Sequence, residues 1–285
     1  MTTFAVAGLQ LEAPGGDNVE LMEREIAAVV RRYPWLDMVV CPELVACGSN
    51  HKYAEAMPGP REQRFQEIAK RHKIWLLPGS VLEADGDRCY NTAPVIAPDG
   101  TVVARHRKLF PWSPYENGIT PGDQHTVFDI PGVGRFGVLI CYDMWFPEAV
   151  RALIWQGAEV ILHPNLTSSI ERDVEKAMIR AHAAQNQCYF FDVNLAGTMG
   201  VGESLIAGPG GEVIYQAGKG REIIPLKLDL NYLHDVRRHG WQNLGQPLKS
   251  FRDSQLRFPQ YENGHDAEAL RALGELRMPT RDEGR

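Results

Sequence analysis

The stretch "RFGVLICYDMWFPEAV", residues 135–150, decides how this chain is read. An apolar run with the look of a buried strand ends at Cys141, and an acid, further aromatic residues and a proline follow at once. Pro147 and Glu148 mark the first turn of a helix that runs through "FPEAVRALIWQG" to Gly157. Cys141 therefore stands between a strand and a helix. A thiol there is either a small packing residue or a nucleophile, favoured as thiolate by the positive end of the helix. A nucleophile also needs a base, so the decision lies elsewhere in the chain.

Upstream, strand-like and helix-like runs alternate. "FAVAGLQ" (4–10) reads as a strand, and a helix follows from Asn18 through "VELMEREIAAVVRR". "DMVVC" (37–41) is a buried strand, "REQRFQEIAKRHK" a helix and "IWLLPG" another strand. "NTAPVIAPDGTVVARHRK" carries an Asp-Gly turn between β-rich runs, and "TVFDI" and "RFGVLIC" flank "PGVG"; both are hairpin signals. Downstream come a strand in "AEVILHP", a long helix in "VEKAMIRAHAAQNQ", a strand in "CYFFDVN", and β structure in "ESLIAGPGGEVIYQAG" and "REIIPLKLDL". The mixture predicts one large α/β domain over 1–262, with helices covering sheets that are not all parallel. From Asn263 to Arg285 the chain becomes a charged tail in which Leu270, Leu273 and Leu276 keep helical spacing, a candidate docking helix.

Composition narrows the function classes. The 285 residues are 44% hydrophobic and 23% charged, with a net charge of -6, ordinary for a globular protein and unlike a basic nucleic-acid binder. No apolar run approaches the roughly 18 residues of a membrane span. "MTTFAVAGLQLEAPGG" lacks a basic region before its apolar residues, so it reads as a strand and not a signal peptide. Five scattered cysteines without a C-x-x-C pair fit reduced thiols in a cytoplasm. No Cys/His group has zinc spacing, so no metal is expected, and without a P-loop, G-x-S-x-G elbow or dinucleotide fingerprint those chemistries fit less well.

Three residues outside the opening stretch complete the picture. Glu43 follows the strand "DMVVC" in a loop shaped by Pro42, where α/β folds gather functional groups. Lys108 closes "TVVARHRK", and Glu116 lies eight residues on, in the Pro- and aromatic-rich "PWSPYENGITPG". Each alone reads as an ordinary loop or terminal residue. Together, in the order Glu43 in "CPEL", Lys108 in "HRKLF", Glu116 and Cys141 in "LICYDMWFPE", they resemble the nitrilase superfamily of carbon–nitrogen hydrolases. "GAEVILHPN", "RAHAAQNQCYFFDVN" and "GESLIAGPGGEV" are similar to that family too, so the resemblance covers most of the chain.

The resemblance implies an α/β fold, a four-layer α-β-β-α sandwich, and chemistry without a cofactor. It implies that Glu43 takes the proton of Cys141, that the thiolate attacks an amide-type carbonyl, and that Lys108, with a backbone N–H after Cys141, stabilises the oxyanion. Glu116 would position the substrate and the Lys108–Glu43 pair. Where nitrilases commonly have Cys-Trp-Glu this chain has "CYD", which turns the expectation towards a small carboxamide, hydrolysed through a thioester. An N-carbamoyl amine or amino-acid amidohydrolase is the alternative; a nitrilase and a non-catalytic binding member fit less well. Trp112, Tyr115, Tyr142, Trp145 and Asn165 flank these positions and are the candidate substrate-binding residues. Arg172, Lys176 and Arg180, four apart on a predicted helix, could meet a substrate carboxylate, although a solvated or subunit-facing stripe accounts for them as well. His163 is the one nearby histidine that could act as a base in place of Glu43. The expected partners are a small-molecule amide or carbamoyl substrate and further copies of the chain in a homo-oligomer, a dimer or larger, with neither nucleic acid nor membrane.

Overall fold

Along each central strand residues alternate between two of the three apolar clusters, one between the sheets and one under helices, and this alternation builds the layers. The computed structural model describes residues 2–262 and 268–278. The described strands begin with β1 (Thr3–Gln10), β2 (Met38–Val40), β3 (Trp75–Leu77), β4 (Val81–Asp85), β5 (Arg88–Ile96) and β6 (Val102–Arg107). Then come β7 (Thr126–Ile130), β8 (Gly134–Val138), β9 (Val160–Asn165), β10 (Tyr189–Asn194), β11 (Leu205–Ala207), β12 (Val213–Gln216) and β13 (Glu222–Asp229). One sheet has the order β13-β1-β2-β3-β5-β4, with β6 paired to β5, and the other runs β12-β11-β10-β9-β8-β7. In each, three central strands are parallel, β1-β2-β3 and β8-β9-β10, and the flanking pairs are antiparallel.

Val6, Met38, Val40, Phe136, Val138, Leu162 and Phe191 meet between the sheets. Their neighbours Ala7 and Val39 face the other way, under α1 (Val19–Arg32) and α2 (Pro60–His72), where they pack with Met22, Ile26, Phe65 and Ile68. Ile161 and Phe190 likewise face α3 (Pro147–Trp155) and α4 (Glu171–Asn186). Strands covered on both faces read as continuous apolar runs, which is why "MVV" and "VIL" show no polar alternation. Each fully buried large side chain is worth about 1.5–3 kcal/mol, so the order helix, sheet, sheet, helix follows from what must be hidden. The sheets approach closely at Gly8, where a Cβ would lie 3.0 Å from a Val193 methyl.

Several local readings are corrected. The strand in "RFGVLIC" ends at Val138, and Cys141 opens a separate 3-10 turn, Cys141–Trp145, before α3 starts at Pro147. The hairpin of β4 and β5 escaped the sequence reading, although Gly86 at φ 63 makes its turn within "ADGDR". So did α5 (Leu230–His239), capped by the Asp229 carboxylate on the N–H groups of Asn231 and Tyr232 and burying Leu230, Leu233 and Val236. Short helices α6 (Pro247–Arg252), α7 (Pro259–Glu262) and α8 (Glu268–Arg271) follow. In the tail, 263–267 and 279–285 lie outside the described residues, and Leu270, Leu273 and Leu276 are exposed.

Candidate active site

The carboxyl ends of the parallel strands from both sheets converge, and the four residues of the sequence reading lie there. Glu43 stands three residues after β2, held by its backbone N–H on the Asn165 carbonyl at 3.3 Å and by the next N–H, of Leu44, on Ser80 Oγ at 3.2 Å. Gly79, at φ 80, passes directly beneath this loop: a Cβ there would lie 1.8 Å from the Pro42 carbonyl oxygen. Lys108 follows β6 and keeps pairing with β5, its N–H donating to the Asn91 carbonyl at 2.8 Å. Cys141 has φ 47, in the left-handed region that costs a non-glycine residue about 1 kcal/mol or more. The sharp turn ends the strand and sets the thiol at the wall of a cavity of about 270 Å3.

Lys108 Nζ donates to Glu43 Oε1 at 2.9 Å and to Glu116 Oε2 at 2.7 Å. Lys108 is 1% exposed and Glu43 2%, so this pair is shielded from water and its attraction is strong, while Glu116 is half-buried. Burial alone would push the ammonium down, but the charges of Glu43, Cys141 and Glu116 outweigh it and hold Lys108 well above the usual lysine range. Burial raises Glu43 above the ordinary carboxylate value, Glu116 adds to this, and Lys108 opposes it. The Cys141 thiol is pushed well up, by burial first and then by the negative charge of Glu43. This corrects the expectation of a thiolate favoured by a helix dipole: α3 starts six residues away, and the resting group is a buried thiol beside a carboxylate to which it hydrogen-bonds.

Asn91 was missed by sequence reasoning. Its amide donates to Glu43 Oε1 at 2.8 Å and reaches Glu116 Oε1 at 3.5 Å, so it spans both acids. The available signal was a polar residue inside the otherwise buried strand β5, directly across from Lys108. Asp143, also buried, accepts from the N–H groups of Ile140 and Phe110 and contacts His106, tying the cysteine turn to the segment after Lys108.

Of the candidate substrate-binding residues, Trp112, Tyr115, Tyr142 and Trp145 line the cavity. Asn165 does not: it is fully buried behind the wall, where its amide donates to Glu175 Oε2 at 3.1 Å. Glu175 itself lines the cavity and accepts from Thr167 Oγ1 at 2.8 Å and Arg172 Nη1 at 3.0 Å. It too was missed, although Arg172, Glu175, Ile179, His182 and Asn186 keep the three-four spacing of the buried face of α4. The stripe of Arg172, Lys176 and Arg180 has other partners. Arg172 is buried on Asp192 and Glu175, Lys176 pairs with Glu203, and Arg180 donates to the Gly211 carbonyl.

His163 bonds the Cys141 carbonyl through Nε2 at 2.9 Å and Asp192 through Nδ1 at 2.8 Å, so it grips the backbone of the turn and not the thiol. Burial would lower its pKa, but the hydrogen bond and charge of Asp192 outweigh that and leave it raised. As an imidazolium it donates from both nitrogens. Among the described residues no three His, Cys, Asp or Glu side chains are grouped to hold a metal ion, and no helix is long and apolar enough to cross a membrane.

Comparison with known proteins places this geometry in context. Residues 5–238 match the carbon-nitrogen hydrolase family. The omega-amidase NIT2 of Xenopus tropicalis is 32% identical over 201 residues, 65% of this chain and 72% of that protein. The human omega-amidase NIT2 is 32% identical over 204 residues, 66% and 73% of the two chains. Among solved structures, Saccharomyces cerevisiae Nit3, of the nitrilase superfamily, superposes with a TM-score of 0.77 at 27% identity, covering 83% of this chain and 94% of that one. The NitN amidase of Nesterenkonia sp. AN1 gives 0.71 at 26% identity, covering 82% and 97%.

Proposed function

The chain belongs to the carbon-nitrogen hydrolase family, and within it we propose a cysteine-dependent amidohydrolase that cleaves a small carboxamide to carboxylate and ammonia. One observation carries the reading: Lys108 Nζ is held between Glu43 and Glu116, at 2.9 and 2.7 Å, in the wall of the cavity that Cys141 also lines. The relatives named omega-amidases and the solved amidase support an amide as substrate. One structure of the Nesterenkonia amidase carries acrylamide added to its active-site cysteine.

Glu43 takes the thiol proton as Cys141 Sγ bonds the amide carbon, and the carbonyl π pair moves onto oxygen. Lys108 and the Tyr142 N–H stabilise that oxyanion, each donor worth about 3–4 kcal/mol in such a site. Collapse breaks the C–N bond, and the proton held by Glu43 leaves with the nitrogen as ammonia. Glu43, again a carboxylate, then takes a proton from water as its oxygen attacks the thioester, and the C–S bond breaks with return of the proton to sulfur.

The charges make this feasible in a buried site. Moving the proton from Cys141 to Glu43 relocates one negative charge and creates none, so no new desolvation is incurred. Burial has already raised Glu43 above the ordinary carboxylate value, which makes it a stronger base. Glu116 stays paired with Lys108 while Glu43 is protonated. The same reading has the protein acting as a homo-oligomer, which the exposed Trp155, Ile170 and Val174 on and beside α3 and α4 support and light scattering tests.

The test is ammonia release from a panel of carboxamides, N-carbamoyl amines and nitriles, with mass spectrometry of the quenched protein. A thioester adduct on Cys141 and silence of Cys141→Ala are expected. Ammonia release that survives Cys141→Ala refutes the thiol step, and faster turnover of carbamoyl compounds would replace the carboxamide.

A further inference from the structure

Part of the cavity wall is acidic and aromatic, and its described residues offer no lysine or arginine free of an acid partner. Glu171 and Glu175, from the first turns of α4, line it together with Trp145 and Thr167. Among the described lining residues Lys108 is the only lysine or arginine, and it is already shared by Glu43 and Glu116. Arg172, behind the wall at 3% exposure, is shared between Glu175, Asp192 and the Glu203 carbonyl and does not face the cavity. A substrate carboxylate entering here would meet Glu43, Glu116, Glu171 and Glu175 and no free lysine or arginine, with His51 the one other described lining side chain able to carry positive charge; like charges brought together in a water-poor space are strongly disfavoured.

A second feature points the same way. Trp112 and Tyr115 stack with centroids 4.4 Å apart, and the Tyr142 and Trp145 rings lie 5.8 Å apart; all four line the cavity. The Trp145 indole N–H points to Glu175 Oε1 at 3.5 Å, so ring and carboxylate form one surface. Aromatic faces next to a carboxylate are what recognises an ammonium group, through the ring quadrupole and the charge together. Glu175 is fixed for this by Thr167, Asn165 and Arg172, so its carboxylate is in place before a ligand arrives.

We infer that the substrate is a small amide carrying a cationic amine at its far end, with Glu175 and Glu171 as the specificity-determining residues. The inference rests on the amidohydrolase reading for the position of the reacting amide at Cys141.

Three amides of matched length test it: γ-aminobutyramide, with an ammonium tail; valeramide, neutral; and glutaramate, with a carboxylate. The expected kcat/KM for γ-aminobutyramide exceeds that for valeramide by roughly tenfold or more, the size of one cation–π contact with a charge partner. Glutaramate falls below valeramide. Glu175→Gln and, in case that change disturbs Arg172, Glu171→Gln at the rim should each shrink the ammonium-to-neutral ratio. Equal turnover of the three, preference for glutaramate, or an unchanged ratio in both variants overturns the inference. Calorimetric titration of Cys141→Ala with the same three compounds reads the ranking without turnover. Tighter binding of γ-aminobutyramide upholds the inference even if no amide is hydrolysed, a result that would count against the amidohydrolase reading alone. Absent or weaker binding of γ-aminobutyramide overturns it.

Discussion

Asp143 Oδ1 accepts the Phe110 N–H at 2.8 Å and thereby joins the turn of Cys141 to the segment that begins at Lys108. Its other oxygen accepts the Ile140 N–H at 2.9 Å and meets His106 Nε2 at 2.9 Å. One buried carboxylate thus sets nucleophile and ammonium in register across two sheets. Asp143→Ala leaves two buried N–H groups without a partner and should cost about 3 kcal/mol or more, read by urea unfolding. Asp143→Asn keeps the shape and should cost less. In both, kcat should fall by about tenfold or more, because small displacements of positioned groups are expensive.

The acid limb of the pH profile tests the assignment of the base. Glu43 must be ionised to take the thiol proton, so kcat/KM rises with pH through its folded-state pKa, which burial and Glu116 hold above the ordinary 4.5. Removing the Glu116 charge takes away one of the influences that push Glu43 up. In Glu116→Gln the limb should therefore move to lower pH, while the rate at its plateau falls through loss of the partner of Lys108. A limb that stays in place or moves up would assign the titration to another group.

Glu43, Lys108, Glu116 and Cys141 were legible because each follows a strand end in a loop with strong punctuation, and because their order resembles a family. The four layers were legible for a related reason: "MVV", "VIL" and "YFF" are too apolar to be covered on one face only. What stayed hidden was set by tertiary packing. Asn91 looks like any polar residue in a strand until β6 lays Lys108 opposite it. Glu175 and Arg172 look like a solvated helix face until Asp192, on the strand β10 that follows α4, fixes the arginine behind the wall. The thiol of Cys141 was expected to be eased towards thiolate by α3, and only the observed five-residue 3-10 turn separates the two.

Gly79 offers a backbone test of how Glu43 is placed. It adopts φ 80, and a Cβ would collide with the Pro42 carbonyl at 1.8 Å, so Gly79→Ala must shift the loop that carries Glu43. Gly86, at φ 63 with nothing within 4 Å, is the control: Gly86→Ala bears only the conformational penalty, about 1–2 kcal/mol. Both variants should melt lower than the parent, but only Gly79→Ala should lose activity out of proportion to its folded fraction. Equal activity per folded molecule would separate Gly79 from the site.

The buried network behind the nucleophile makes a prediction about stability and acid. Burial would raise Asp192, but the charge of Arg172 and the hydrogen bond from His163 outweigh it and pull its pKa to about 2 from an ordinary 3.8. A carboxyl lowered on folding contributes stability that is present above its unfolded value and is lost as pH falls through its folded value. Nearly two pH units correspond to about 2–3 kcal/mol. Asp192→Asn should therefore be less stable than the parent by at least this amount at pH 7. The gap should widen as pH falls from 7 towards about 6.5, because Asp192 also holds His163 above its ordinary value, stay level down to about pH 4 and narrow below it. Because Asp192 orients His163 on the Cys141 carbonyl, the variant should also lose kcat more than it raises KM. A gap that widens as pH falls below about 4 would mean that Asp192 is not the charged partner of Arg172 and His163.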